Sequence, residues 1–519
     1  MRGTHYGKPP KVQRLAAHAA EGSSHSPARA RRIFSPRTIG CRRAAMKGGK
    51  LPLRVHLKTK TRGRAFYHRA SPRCVGCQTD DGADQPMTMI MDAQPGQGTG
   101  EATGTKDIFD AYIERSWRSN AQRQRDRGIE FIIGEREGPH IWTLEGDRRI
   151  VDCGTAGGVH SLGHRHPAVL GALRKALDDG RDTGLWSVPN AEYLAFQDLL
   201  TELAPRPELN RSVVTLASTV SIDLAIMFAF RFTGRRRILV YRHGYHGHTG
   251  LAALSTGSLD EGVLDYYNLP TEHTAYFERY GDMDAIDAVL DDSIAAVILE
   301  PMDYETFAPA ENAYLSALEA ACRRSGALLV IDETRTGLGR SGKVWATSHF
   351  DVRPDIMVTG KGLSGGLYPV SALLMRQEIY DRCMNEHKFA YISSLGGNEI
   401  SCVVAAEVLR QSSRPELLAN VARASTKLRE AFEDLARRHS NLVGMGTVFG
   451  CIATLEVRDP AHARPLYKKV FEQGVLCHSV SVIEPTVLKF FPSLIIDDQI
   501  VAEIAASVDR ALSDLRDSL

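Results

Sequence analysis

Between about residue 195 and residue 380 the chain repeats one pattern, a short apolar run followed by a helix-like stretch. The runs read VVTLAS (213–218), RILVYR (237–242), AAVILEP (295–301), ALLVIDE (327–333), DIMVTGK (355–361) and PVSALLM (369–375). Unbroken Val, Ile and Leu mark strands covered on both faces, and their alternation with helices predicts an α/β fold with a mostly parallel sheet. In such sheets ligands collect beyond the carboxyl ends of the strands, so the polar residues that end these runs are the first candidates for chemistry.

The flanks differ. Residues 1–86 carry 19 Lys+Arg against 4 Asp+Glu, although the 519-residue chain has a net charge of only +2. Residues 1–105 are rich in Arg, Gly, Ser and Pro, without a sustained apolar period, and are expected to form a disordered basic extension. A transit peptide, a nucleic-acid-binding arm and upstream sequence read from too early a start codon compete here. The third is preferred, because Met87, Met89 and Met91 sit at the charge boundary and the run lacks aromatic interleaving.

Residues 106–170 open with an amphipathic helix (IFDAYIERSWRS) and short strands around FIIG, IWTLEG and RIVDCG. This segment is expected to contribute to a small domain, with 171–400 as the large domain and 401–519 as a C-terminal α+β domain. No run of eighteen apolar residues predicts a membrane span. Nine scattered cysteines, with only Cys74 and Cys77 closely spaced, fit reduced thiols and a cytoplasmic setting.

Asp332 follows ALLVI, Lys361 follows DIMVTG, and Tyr245 with His246 follows RILVYRHG. A lone Asp at a strand end is more often a turn residue, and a lone Lys more often solvated. Together they meet a specific need: an amine that forms an imine with an aldehyde cofactor, and a carboxylate for a pyridinium nitrogen. His164 and His166 in LGHRHP lack a third ligand at suitable spacing, so no metal is expected.

The stretch DETRTGLGRSGKVWA (332–346) followed by DIMVTGKGLSGGLYPVSA (355–372) resembles the cofactor signature of class III aminotransferases. The likeness extends over about 107–519 through IVDCGTAGGVHSLGHRHPAV, YRHGYHGHTG, ILEPM, SLGGNEIS and VLKFFPSL. It implies a fold-type-I transferase with a seven-stranded sheet, pyridoxal 5'-phosphate as cofactor, and ping-pong transfer of an amino group from a small-molecule donor to a carbonyl acceptor.

Carried over residue by residue, Lys361 would form the Schiff base and move the substrate proton, and Asp332 would hold the ring nitrogen. Tyr245 would stack on the ring with His246 beside it. Ser218, Thr219 and Val220 would cradle the phosphate at a helix N-terminus, and Glu300 would lie at the cofactor. Ser394 would reach the phosphate of a neighbouring subunit, which implies a homodimer with shared active sites.

Three departures stand out. The phosphate loop reads ASTVSID, without the family's usual Gly, Glu and Asn. Thr334 and Arg335 replace the common Val and Gln; Arg335 would touch the cofactor or a substrate anion, or else pair with Asp303 or Glu305. Lys489 stands where many relatives place a carboxylate-clamping Arg, which favours a substrate whose reacting amine is not held in the ordinary α-amino acid pose. An aminomutase, racemase or carbon-carbon lyase would use the same residues, and a non-catalytic member would be expected to lose Lys361 first.

Overall fold

The computed structural model describes residues 104–519, except 117, 185–187, 259–260, 388–389 and 481–485. All of them belong to one compact unit, Gly96–Leu519; the basic extension and its alternative starts lie outside the described residues.

Three strands come first: β1 (Ile133–Glu137), β2 (His140–Thr143) and β3 (Arg149–Cys153). The large sheet follows, with β4 (Arg211–Thr215), β5 (Arg237–Tyr241), β6 (Thr274–Phe277), β7 (Ile294–Leu299), β8 (Leu328–Asp332), β9 (Ile356–Thr359) and β10 (Ser371–Met375). Its order is β4-β10-β9-β8-β7-β5-β6, and β10 alone runs antiparallel to its neighbours. All six residues of β7 are buried, as expected of a strand covered on both faces. The six apolar runs account for every strand but β6, a four-residue edge strand (TAYF) too short to carry a period.

The C-terminal part supplies β11 (Val443–Val448), β12 (Ala453–Val457), β13 (Val475–Cys477), β14 (Ser479–Val480) and β15 (Val487–Phe490). Four of these form an antiparallel sheet, β11-β12-β15-β14, backed by the long helices Pro415–Arg438 and Asp498–Arg516. β13 instead pairs in parallel with β3, so that Cys477 faces Cys153 and the N-terminal and C-terminal segments share one sheet. Arg340, fully buried, ties these parts together by donating to the carbonyl of Cys451 and the hydroxyl of Ser161, each at 3.0 Å.

The opening helix runs Thr105–Arg115, and a second helix, Arg118–Asp126, follows it. That second helix buries only Ala121 and therefore offers no apolar stripe to read in the sequence.

Candidate active site

Strand ends of the large sheet meet along one edge, and each delivers a functional side chain. β8 ends on Asp332, only 1% exposed, and the register Asp332↔Val358 sets the end of β9 beside it. Lys361 follows β9 and opens a short turn with φ +45, left-handed backbone that a non-glycine residue holds only where its surroundings impose it.

Gly360 allows the close packing behind that turn: a Cβ there would collide with the hydroxyls of Ser218 and Ser371. Ser371 Oγ donates to the Thr359 carbonyl at 2.6 Å and shares a 2.9 Å hydrogen bond with Ser221. The first turn of the helix Ser218–Thr233 is thereby laced to the strand that carries Lys361. Ser218, Thr219 and Val220 form that turn, where backbone N–H groups lack partners within the helix and the dipole favours an anion. Thr219 lies against the loop after β5, its Oγ1 2.7 Å from where a Gly247 Cβ would stand.

That loop carries Tyr245 and His246. His246 Nδ1 donates to Asp332 Oδ2 at 2.7 Å, and the Thr334 N–H donates to Oδ1 at 2.9 Å. Burial alone would raise the Asp332 carboxyl, but the hydrogen bond and charge of His246, helped by Thr334, hold it below its usual value. The Tyr245 ring lies 5.8 Å from Lys361 Nζ and stacks within the chain on Tyr304, with ring centroids 5.8 Å apart and planes at 11°.

Arg335 forms a two-pronged pair with Glu300, its Nε 2.6 Å from Oε1, both side chains buried. Of the readings open for Arg335, the ion pair with an acidic neighbour is the one formed, but its partner is Glu300 and not Asp303 or Glu305. Glu300 directly follows β7, the neighbour of β8, whereas Asp303 accepts from the Glu305 N–H and the Thr306 hydroxyl, and Glu305 faces His243. The guanidinium also lies over Tyr304 at 4.3 Å and Phe307 at 5.0 Å.

Lys361 is partly buried, and burial, then the positive charge of Arg335, push its amine down to about 8. Lys489, only 2% exposed on β15, donates to the Tyr304 carbonyl at 3.0 Å and sits over Phe307 at 4.3 Å. Burial and Arg335 push it down to about 7. Two amines with lowered pKa beside one fixed cation make a site suited to an aldehyde and to anions.

Ser394 is exposed and lies in a different crevice, lined also by Asp182, Thr183, Asn398 and Glu399. His164 is engaged by Asp152 at 2.9 Å and stacks on His160, while His166 precedes the helix Pro167–Asp178. Among the described residues no three His, Cys, Asp or Glu side chains gather closely enough to hold a metal ion.

Four residues of the site escape a reading of the sequence: Gly157, Tyr304, Phe307 and His478. His478 Cε1 lies 3.3 Å, and Lys361 Nζ 3.9 Å, from where a Gly157 Cβ would stand. Burial, then the charges of Arg335, Lys489 and Lys361, push the imidazole down to about 3, so it stays neutral. No local motif marks it; β13 brings it to the site by pairing with β3.

An open sheet whose strand ends gather an amine, a carboxylate and a helix N-terminus has the parts that a phosphorylated aldehyde cofactor requires. Comparison with known proteins makes this specific. Residues 121–512 match the family model described as aminotransferase class-III. An uncharacterized aminotransferase of Archaeoglobus fulgidus is 34% identical over 414 residues, covering 79% of this chain and 94% of that protein. An acetylornithine aminotransferase of Pseudomonas putida is 30% identical over 404 residues, covering 74% and 93%. The solved structure of ornithine aminotransferase from Toxoplasma gondii shares the fold with a TM-score of 0.72 at 22% identity, covering 80% of this chain and 96% of that one.

The chain belongs to the class III aminotransferases. It is a pyridoxal-phosphate-dependent transferase that takes small-molecule amino and keto substrates. No helix among the described residues is long and apolar enough to cross a membrane.

Proposed function

We propose that Lys361 is the residue to which pyridoxal phosphate attaches, with Asp332 at its ring nitrogen, Tyr245 at its ring face and Ser218, Thr219 and Val220 at its phosphate. The observation that carries this is the Lys361 amine, set just past β9 beside the strand end that holds Asp332, with its pKa pushed down to about 8. On the order of a tenth of it is neutral at pH 7, against less than about a thousandth for an ordinary lysine. Three polar atoms of the site, Thr359 Oγ1, His246 Nε2 and Arg335 Nη1, are buried and have no partner among the described residues, which fits a site built around a polar group.

Pyridoxal phosphate, when bound, supplies an aldehyde carbon for amines and a ring that accepts electron density. Lys361 Nζ then moves the proton at the amine-bearing carbon of the substrate. Asp332, kept ionised by His246, favours a protonated ring nitrogen through a charge-assisted hydrogen bond. Arg335 is engaged by Glu300 through Nε and Nη2, which leaves Nη1 for a polar group in the site, and its fixed charge keeps the Lys361 amine reactive. Lys489 offers a single cation to a keto-acid carboxylate in place of an Arg fork, consistent with donors held outside the ordinary α-amino acid pose. Ser394 completes the phosphate site of a neighbouring subunit in a homodimer, and the enzyme works in the cytoplasm.

Mixing the holoenzyme with amino donor alone tests the reading. Transamination releases one equivalent of carbonyl product per site and changes the cofactor absorbance without any acceptor. An unchanged spectrum with a rearranged, racemised or cleaved product would instead assign a mutase, racemase or lyase.

A further inference from the structure

A cavity of about 470 Å³ lies against Gly157 and His478. Its walls include Phe109, Ile129, Phe131, Ile141, Tyr467 and Leu476. Gly157 has no side chain to close the cavity on the side of Lys361, whose Nζ lies 3.9 Å from where a Cβ would stand.

We propose that this cavity receives the part of the amino donor beyond its reacting carbon, and that it selects an apolar body, aryl or branched alkyl, without a charged end. The inference rests on the Lys361 attachment proposed above. Among the described residues lining the cavity there is no Lys or Arg to meet a distal carboxylate. Its one carboxylate, Asp152, already accepts from the Gly154 N–H at 2.9 Å, the Thr155 N–H at 2.8 Å and His164 at 2.9 Å. The ring nitrogens His160 Nδ1 and His164 Nδ1 are buried without a partner among the described residues, so a distal ammonium finds a neutral acceptor at most and no free counter-charge. His160, pushed down to about 4 by burial and by His164, stays neutral, as does His478.

The space opens to solvent at Ile133 and Ala156, so a charged end keeps part of its hydration but finds no fixed counter-charge on the walls, whereas an apolar body packed against them gains by leaving water. A cavity of roughly 150 Å³ holds a benzene ring, so this one admits an aryl group with several methylenes.

The test uses the holoenzyme with pyruvate as acceptor and two donors whose end groups sit three methylenes from the amine, 3-phenylpropylamine and 4-aminobutanoate. The wild type is expected to favour the phenyl donor in kcat/KM by about tenfold or more. Leu476→Trp, which enlarges a β13 side chain in the cavity wall, is expected to lower the phenyl donor's kcat/KM by about tenfold relative to that of ethylamine. Gln124→Arg, a change on a helix that adds a cation to the lining, decides the matter if the first variant does not fold: it is expected to raise relative use of 4-aminobutanoate. Absence of a borohydride-fixed adduct on wild-type Lys361 would sink the attachment reading. With that adduct present, equal use of both donors, or a preference for 4-aminobutanoate, would overturn the cavity inference alone.

Discussion

Replacing Arg335 by Gln removes one half of a buried ion pair and leaves the other half in place. Glu300 and Arg335 are each 3% exposed, and the Nε arm of the fork measures 2.6 Å. Breaking such a pair from one side costs about 3–5 kcal/mol, because the surviving charge is stranded away from water. An exposed pair of the same geometry would cost only about 0.2–1 kcal/mol. Loss of the guanidinium from the Tyr304 and Phe307 rings adds to the cost. Glu300→Gln should destabilise similarly, and the double variant should lose clearly less than the two single losses added, with a coupling of about 2–3 kcal/mol. Urea unfolding of the four proteins, followed by Trp fluorescence, measures the cycle. Arg335→Gln also removes a charge that lowers the Lys361 pKa, so cofactor capture by the apoenzyme at pH 7 should slow. A single-variant cost below about 1 kcal/mol with no coupling would refute the reasoning, since the pair would then behave as a solvated one.

Gly360→Ala forces the helix Ser218–Thr233 away from the Lys361 turn, and packing strain of this kind costs about 1–3 kcal/mol. Equilibrium dialysis should show cofactor affinity reduced by about tenfold or more, with the circular dichroism of the apoenzyme retained. Lys489→Met should stabilise the protein, with a specific pH dependence. The folded-state pKa of about 7 lies below the usual 10.5, so protonation favours the unfolded chain. The penalty is full below pH 7 and fades as pH rises toward the unfolded value, by about 1.4 kcal/mol for each pH unit crossed in that interval. The variant's advantage in thermal midpoint should accordingly be large at pH 6 and vanish near pH 10; a constant advantage would contradict it.

The large sheet was readable because its strands are buried on both faces, so burial alone writes Val, Ile and Leu into them. Asp332 and Lys361 were readable as a pair because adjacent parallel strands bring their carboxyl ends together whatever the connecting loops do. The partner of Arg335 was not, since Glu300, Asp303 and Glu305 are near neighbours in sequence and only the path of the chain after β7 decides which carboxylate faces the guanidinium. His478 was hidden for another reason: it follows a three-residue strand that meets β3 across more than three hundred residues of sequence, a contact without a local signature. Tyr304 and Phe307 read as ordinary apolar residues until Arg335 and Lys489 are seen lying over them.

The most direct measurement is borohydride reduction of the holoenzyme followed by peptide mass spectrometry. A single phosphopyridoxyl adduct on the peptide containing Lys361 is the expected result. An adduct on Lys489, the other amine whose pKa the site depresses, or no adduct at all, would contradict the assignment on which every proposed role depends.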